Sequence, residues 1–260
     1  MKTLSGSELA GFIKQRQLSQ VSNLSYQPCL LIIRDSDNPV IAKYVNLKIR
    51  YGTDIGIKVV DYCAKDSADI TSRITSANTD PTIHGIILQL PITDTSRTDE
   101  LCNLIVPHKD VDGLGINSTY DSATATAILW LLAGYDVKLD NKKIAIVGRG
   151  KLVGAPLFRM FQDSHYDVSL FHRGDDLTNL KQFDIIISAT GVPGLIVSDY
   201  ISPGAILVDA GTASENGVIK GDISPELYTR TDIAAITPTI GGVGPLTVTC
   251  LFDHVIQASS

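Results

Sequence analysis

The sequence predicts an α/β fold built on parallel sheets, on three observations. Short, continuous apolar runs of strand length recur at 29–33, 57–60, 85–90, 144–147, 168–171, 185–188, 206–208 and 233–236. Segments of helical period separate them. The run at 144–147 passes directly into a glycine-rich turn that opens a helix. Strands that are apolar throughout need cover on both faces, and helices between parallel strands supply it.

The 260 residues, 44% of them hydrophobic, suffice for one large or two modest cores. No internal repeat or low-complexity linker marks a boundary. We place it at the cluster Gly113, Gly115, Asn117, Ser118 and Asp121, just ahead of a helix expected at 123–133, which separates domains at 1–118 and 119–244. A net charge of −6 without a long Lys/Arg cluster excludes a general nucleic-acid binder. No run approaches the ~18 apolar residues of a membrane-spanning helix, and residues 1–10 lack the apolar core of a secretory signal. No membrane partner and a cytoplasmic address are therefore expected. Cys29, Cys63, Cys102 and Cys250 stand far apart and read as buried small hydrophobes, and the five histidines are equally scattered. No metal is expected.

In the first half, Pro39 suits a helix start, which puts Tyr44 and Lys48 at i and i+4 on one face. A phenol beside an amine is a candidate acid/base pair, since burial would bring the lysine toward neutrality. The alternative is ordinary packing with a snorkelling lysine.

The second half reads as a doubly wound, Rossmann-like dinucleotide fold. Its first strand ends in the turn Gly148-Arg149-Gly150, where we expect Gly148 and Gly150 to let the backbone turn tightly and offer N–H groups to a phosphate. Its second strand ends at Phe171-His172-Arg173 and its third at Ala189-Thr190-Gly191. An NAD site usually carries an acidic side chain after the second strand. Here Arg173, with Arg149, suits a 2′-phosphate and points to NADP, with NAD not excluded. Alternatively, both arginines are surface residues paired with Asp175 or Asp176.

Five motifs occur in order: Tyr44-x-x-x-Lys48, Gln89-Leu90-Pro91, Pro107-His108-Lys109-Asp110-Val111-Asp112-Gly113, Gly148-Arg149-x-x-x-Val153-Gly154-x-Pro156, and Thr237-Pro238-x-x-Gly241-Gly242-Val243-Gly244-Pro245-x-Thr247. Together they resemble the bifunctional methylenetetrahydrofolate dehydrogenase/cyclohydrolase family, over nearly the whole chain.

The resemblance implies an N-terminal folate-binding domain, completed by a C-terminal helix at 245–260, a dinucleotide domain, and a folate cleft between them. It also implies a homodimer pairing through the dinucleotide domains. The family oxidises 5,10-methylenetetrahydrofolate with NADP and hydrolyses the methenyl product to 10-formyltetrahydrofolate. By motif position Lys48 is the catalytic lysine, poised by Gln89 and shielded by Tyr44, and Asp112 accepts hydrogen bonds from the pterin. Asp112 otherwise reads as a turn cap before Gly113. Leu90, Gly242, Val243 and Pro245 join the folate site, with Pro245 opening the last helix. Thr190, Gly191 and Thr212 join the cofactor site with Gly148, Arg149, Gly150 and Arg173.

The chain departs from the family pattern at 122–125, at Gly150 (usually serine), at Thr212-Ala213, at Ile41 and at Ile240 (usually proline). The loop after Asp112 is also short. These changes motivate a second reading, a cyclohydrolase with weak or lost dehydrogenase activity; a third, a silent folate- or dinucleotide-binding homologue, is opposed by the retention of Lys48, Gln89 and Asp112 together.

Overall fold

A computed structural model describes residues 1–211, 213–215 and 218–260, and every side chain among them except those of 213–215 and 218–219. In chain order the elements are β1 (Lys2–Thr3), α1 (Gly6–Ser22), β2 (Cys29–Arg34), α2 (Pro39–Ile55), β3 (Lys58–Cys63), α3 (Ser67–Thr79), β4 (Gly85–Leu88), α4 (Thr98–Leu104) and α5 (Ala123–Gly134). They continue as β5 (Lys143–Val147), α6 (Gly154–Asp163), β6 (Asp167–Phe171), β7 (Ile185–Ser188), β8 (Ile206–Asp209), β9 (Ala213–Glu215), β10 (Val218–Lys220), β11 (Ala235–Ile236) and α7 (Val243–Ala258). Every predicted apolar run overlaps a strand, and the fold is α/β with parallel sheets.

The chain divides into two compact units, Met1–Ala10 with Thr124–Thr247 and Gly11–Ala123 with Val248–Ser260. In the second of these, β2 lies between β3 and β4 in a parallel sheet, with Leu31 opposite Val60 and Ile86. Ile70, Ile74 and Ala77 of α3 close its core over Leu31, Ile33, Ile86 and Leu88.

Helix α2 begins where the Asn38 side chain accepts the Val40 N–H at 2.8 Å, and Pro39 occupies the first turn, where its missing N–H costs nothing. The helix buries Ile41, Val45, Gly52 and Ile55 and ends at Gly56, left-handed at φ 84°. Gly52 admits Phe252 of α7, which a Cβ there would meet at 3.0 Å. This packing leaves Tyr44 and Lys48, both half-buried, one turn apart.

In the other unit a six-stranded parallel sheet runs in the order β1-β11-β8-β7-β5-β6. Both faces are covered: Ala145, Val147, Ile186, Leu207 and Ile236 share one core, and Ile144, Ile146, Ile185 and Ile187 are buried as well. Strand β5 lies between β6 and β7, so the connections that follow it leave on opposite sides. The carboxyl end of β5 is therefore the switch point, where open α/β sheets bind ligands. Residues 1–10, assigned on sequence to the N-terminal domain, belong to this unit because Lys2 and Thr3 pair with Ala235 and Ile236 while Leu4 is fully buried. A two-residue strand without an apolar run leaves no sequence signal.

One cysteine expectation fails. Cys29, Cys102 and Cys250 are buried, but Cys63 is exposed at the end of β3, beside Arg34, which binds Asp61 and Asp37. The charged fork holds the strand end at the surface and the thiol stays with it.

Candidate active site

Lys48 donates through Nζ to Gln89 Oε1 at 2.6 Å. Gln89 follows β4 directly, its N–H bonded to the Ile33 carbonyl at 2.8 Å and its side-chain N–H₂ to the Leu90 carbonyl at 3.1 Å, so its oxygen is left to face the lysine. Leu90 packs against the core that contains Leu88 and Ile92, and the Leu90–Pro91 bond is cis. Burial lowers the Lys48 amine below its ordinary value, and the nearby Asp112 opposes that by favouring the charged form. Burial likewise pushes the Asp112 carboxyl up to about 6, with Lys48 pulling down and Asp110 pushing up. The structure thus brings Lys48, Gln89 and Asp112 together, with Tyr44 one helical turn before the lysine. Among the described residues neither the Tyr44 hydroxyl nor the Asp112 carboxylate has a hydrogen-bond partner.

The loop that carries Asp112 is held by neighbours in its own motif, to which the sequence assigned no site role, and by His254. Lys109 is buried and donates to the Ala77 and Asp80 carbonyls at 2.9 and 2.7 Å, completing the C-terminus of α3. Asp110 accepts the Gly115 N–H at 2.7 Å, so it, and not Asp112, closes the turn. Gly113 is left-handed at φ 71°, and a Cβ there would overlap the Asp121 carbonyl. His254 of α7, stacked on Tyr120 at 4.8 Å, bonds the Val111 carbonyl through Nδ1 at 2.9 Å. The motif therefore separates into residues that hold the loop and one carboxylate without a hydrogen-bond partner among the described residues. Only a buried polar side chain inside a motif could have signalled this.

Gly241, Gly242, Val243 and Pro245 lie in the other unit. Gly241 is left-handed at φ 84° and a Cβ on Gly242 would sit 2.8 Å from the Pro238 carbonyl oxygen. Helix α7 opens at Val243, two residues before the Pro245 expected to open it. Pro245 is accommodated because first-turn N–H groups have no intrahelical partner. Val243 is buried, and its carbonyl accepts the Thr247 hydroxyl at 3.4 Å. Ile240 is exposed.

At the switch point, Gly148 is left-handed at φ 102° with its N–H on the Phe171 carbonyl at 2.9 Å. A Cβ on Gly154 would overlap the Gly148 carbonyl oxygen. The glycines that the turn requires are therefore 148 and 154. Gly150, expected to be one of them, has open space where a Cβ would go and is not left-handed. Arg149 and Arg173 are exposed and have no ion-pair partner among the described residues. Asp175 instead accepts the His172 N–H at 2.6 Å, and Asp176 caps the turn at Thr178. Helix α6 starts at Gly154 without a side-chain cap. A glycine turn, a helix N-terminus without a side-chain cap and two exposed guanidiniums without an ion-pair partner among the described residues fit the phosphates of a dinucleotide. Gly191, left-handed at φ 68°, and Thr190 follow β7 beside this turn. Thr212 lies outside the described residues.

Because Gly150 faces open space, Gly150→Ser is expected to leave the thermal midpoint unchanged and to tighten NADP binding about two- to tenfold through one added hydroxyl contact, measured by calorimetry.

Residues 4–112 match the family model for the catalytic domain of tetrahydrofolate dehydrogenase/cyclohydrolase, and residues 122–260 match the model for its NAD(P)-binding domain. The chain is 32% identical over 276 residues to the bifunctional protein FolD of Macrococcus caseolyticus, covering 99% of this chain and 97% of that one. Its fold is similar to the crystal structure of the Campylobacter jejuni bifunctional enzyme FolD, with a TM-score of 0.94 and 30% identity over 100% of this chain and 98% of that one. It is also similar to the Trypanosoma brucei FolD structure complexed with NADP cofactor and inhibitor, with a TM-score of 0.89 and 25% identity over 99% of this chain and 96% of that one. The glycine turn, the lysine–glutamine pair and this full-length agreement have one common explanation: the chain belongs to the tetrahydrofolate dehydrogenase/cyclohydrolase family.

Proposed function

We propose that this protein oxidises 5,10-methylenetetrahydrofolate with NADP and hydrolyses the methenyl product to 10-formyltetrahydrofolate. The observation that carries the reading is the 2.6 Å contact between Lys48 and Gln89, within the field of an Asp112 carboxylate that has no hydrogen-bond partner among the described residues. Bifunctional relatives over the full length, and the NADP complex of the Trypanosoma brucei relative, support it.

NADP, when bound, accepts the hydride from the methylene carbon. That step needs no acid or base, so the protein's task is to hold its ligands. The Gly148 N–H, expected to face a phosphate, is taken by the Phe171 carbonyl, so Gly150 and Gly154 at the start of α6 are the main-chain N–H groups offered to phosphate, and Arg149 and Arg173 offer charge. Hydrolysis makes more chemical demands. Water adds to the electrophilic methenyl carbon while the Lys48 amine, which burial pushes toward its proton-accepting form, takes its proton; the carbon–N5 bond then breaks, N5 takes a proton, and the hydroxyl loses its own, leaving the formyl group on N10. Gln89 orients the amine, and Tyr44 shields it. Asp112 accepts hydrogen bonds from the pterin amino and ring N–H groups. The family resemblance adds a homodimer, which sedimentation of the purified protein tests.

The test is to mix the protein with 5,10-methylenetetrahydrofolate and either NADP or NAD, following reduced nicotinamide, and to supply premade methenyltetrahydrofolate in parallel. Both activities are expected. Hydrolysis without reduction would leave a cyclohydrolase, and neither would leave a silent binder. Arg173→Ser is expected to raise KM for NADP about tenfold and leave that for NAD nearly unchanged, because only NADP carries the 2′-phosphate. Equal changes with both cofactors would remove Arg173 from the site.

A further inference from the structure

The loop after β7 is held from behind by a buried carboxylate. Asp222, 1% exposed, presents Oδ2 to three donors: Ser188 Oγ at 2.7 Å, the Thr190 N–H at 2.7 Å and Thr190 Oγ1 at 2.9 Å. Thr190 Oγ1 in turn accepts the Val192 N–H at 3.1 Å. The main chain of Asp222 is fixed as well, its N–H donating to Asp209 Oδ1 at 3.1 Å and its carbonyl accepting the Ile196 N–H at 2.9 Å. Asp209 takes the Ile223 N–H at 3.0 Å and the Gly211 N–H at 3.1 Å, anchoring the segment at the end of β8.

The loop so held is a wall of the glycine turn. A Cβ on Gly148 would stand 2.7 Å from the Ala189 carbonyl oxygen and 3.1 Å from Thr190 Cγ2. The Thr190 hydroxyl hydrogen therefore goes to Asp222, and its methyl lies toward Gly148. A hydroxyl has one hydrogen to donate, and this one is taken.

We infer that Asp222 is a positioning residue for the dinucleotide: it turns Thr190 so that the threonine methyl and the main chain of Thr190 and Gly191, not the hydroxyl, border the cofactor at the glycine turn. The inference rests on the function proposed above. Charge matters to it, because one anionic oxygen orders three donors more strongly than a neutral amide oxygen would. Oδ1 has no partner among the described residues, so an asparagine can keep its oxygen on the donors and place its amide on that side.

The test measures NADP dissociation constants by calorimetry, with dehydrogenase kinetics, for wild type, Asp222→Asn and Thr190→Val. Asp222→Asn is expected to bind NADP about tenfold more weakly while kcat at saturating NADP changes by no more than about twofold. Thr190→Val keeps the methyl and loses only the hydroxyl, and is expected to weaken binding about threefold. Wild-type affinity in Asp222→Asn, or a kcat that falls as far as affinity, overturns the inference. If Asp222→Asn does not fold, Thr190→Val decides, and unchanged affinity there overturns it. Wild-type protein that binds neither NADP nor NAD overturns the proposed function as well, whereas wild-type binding with an unaffected Asp222→Asn overturns this inference alone.

Discussion

Replacing Lys48 with methionine is expected to slow methenyl hydrolysis by about 10²–10⁴-fold, the range that a positioned general acid or base supplies. Methionine keeps the apolar stem of lysine without its amine, so the buried Ile41 and Val45 face of α2 is undisturbed. Gln89 loses its 2.6 Å partner but keeps its bond to the Leu90 carbonyl. Turnover equal to wild type in this variant removes Lys48 from the chemistry.

The variant also carries a signature in pH. In the wild type, Asp112 protonates as pH falls through about 6, and its ability to accept from the pterin is lost below that value, so KM for folate is expected to rise there. Lys48 is the group that pulls this carboxyl down. Without its charge the midpoint moves upward, and folate binding weakens at a higher pH in Lys48→Met than in wild type. An unmoved midpoint would mean that Lys48 and Asp112 do not act on one another in solution.

Gly154→Ala is expected to lose about 1–3 kcal/mol of unfolding free energy and to abolish measurable NADP binding. The new methyl would overlap the Gly148 carbonyl oxygen and stand 3.2 Å from Arg149 Cα, both main-chain atoms that cannot swing aside. Either the turn or the start of α6 must move, and with it the Gly150 or Gly154 N–H that faces the phosphate in the proposed site. Thermal denaturation and calorimetry on the same sample check both parts. A wild-type midpoint with wild-type affinity would show that the turn is pliable, and would weaken the assignment of this turn as the phosphate site.

Much of the site was legible in the sequence because its signals are local. Tyr44 and Lys48 are four residues apart on a helix whose start is marked by Asn38 and Pro39, and helical period alone puts them one turn apart. Gly148 follows an apolar strand directly, which is enough to identify the turn. Gly150 looked equivalent to it, and the distinction from Gly154 appears only when helix α6 is laid against the carbonyl of Gly148.

The sequence by itself determined the α/β class, the longer strands, the family and the candidate site residues, because strand and helix periods and short motifs are properties of neighbouring residues. The tertiary structure alone decided what holds those residues in place: Lys109 on the end of α3, His254 on Val111, Asp222 behind Thr190, and Lys2 and Thr3 beside β11. Each of these contacts joins residues distant in the chain, and a buried polar group chooses its partner by what folding brings within about 3 Å, a distance that local pattern does not encode.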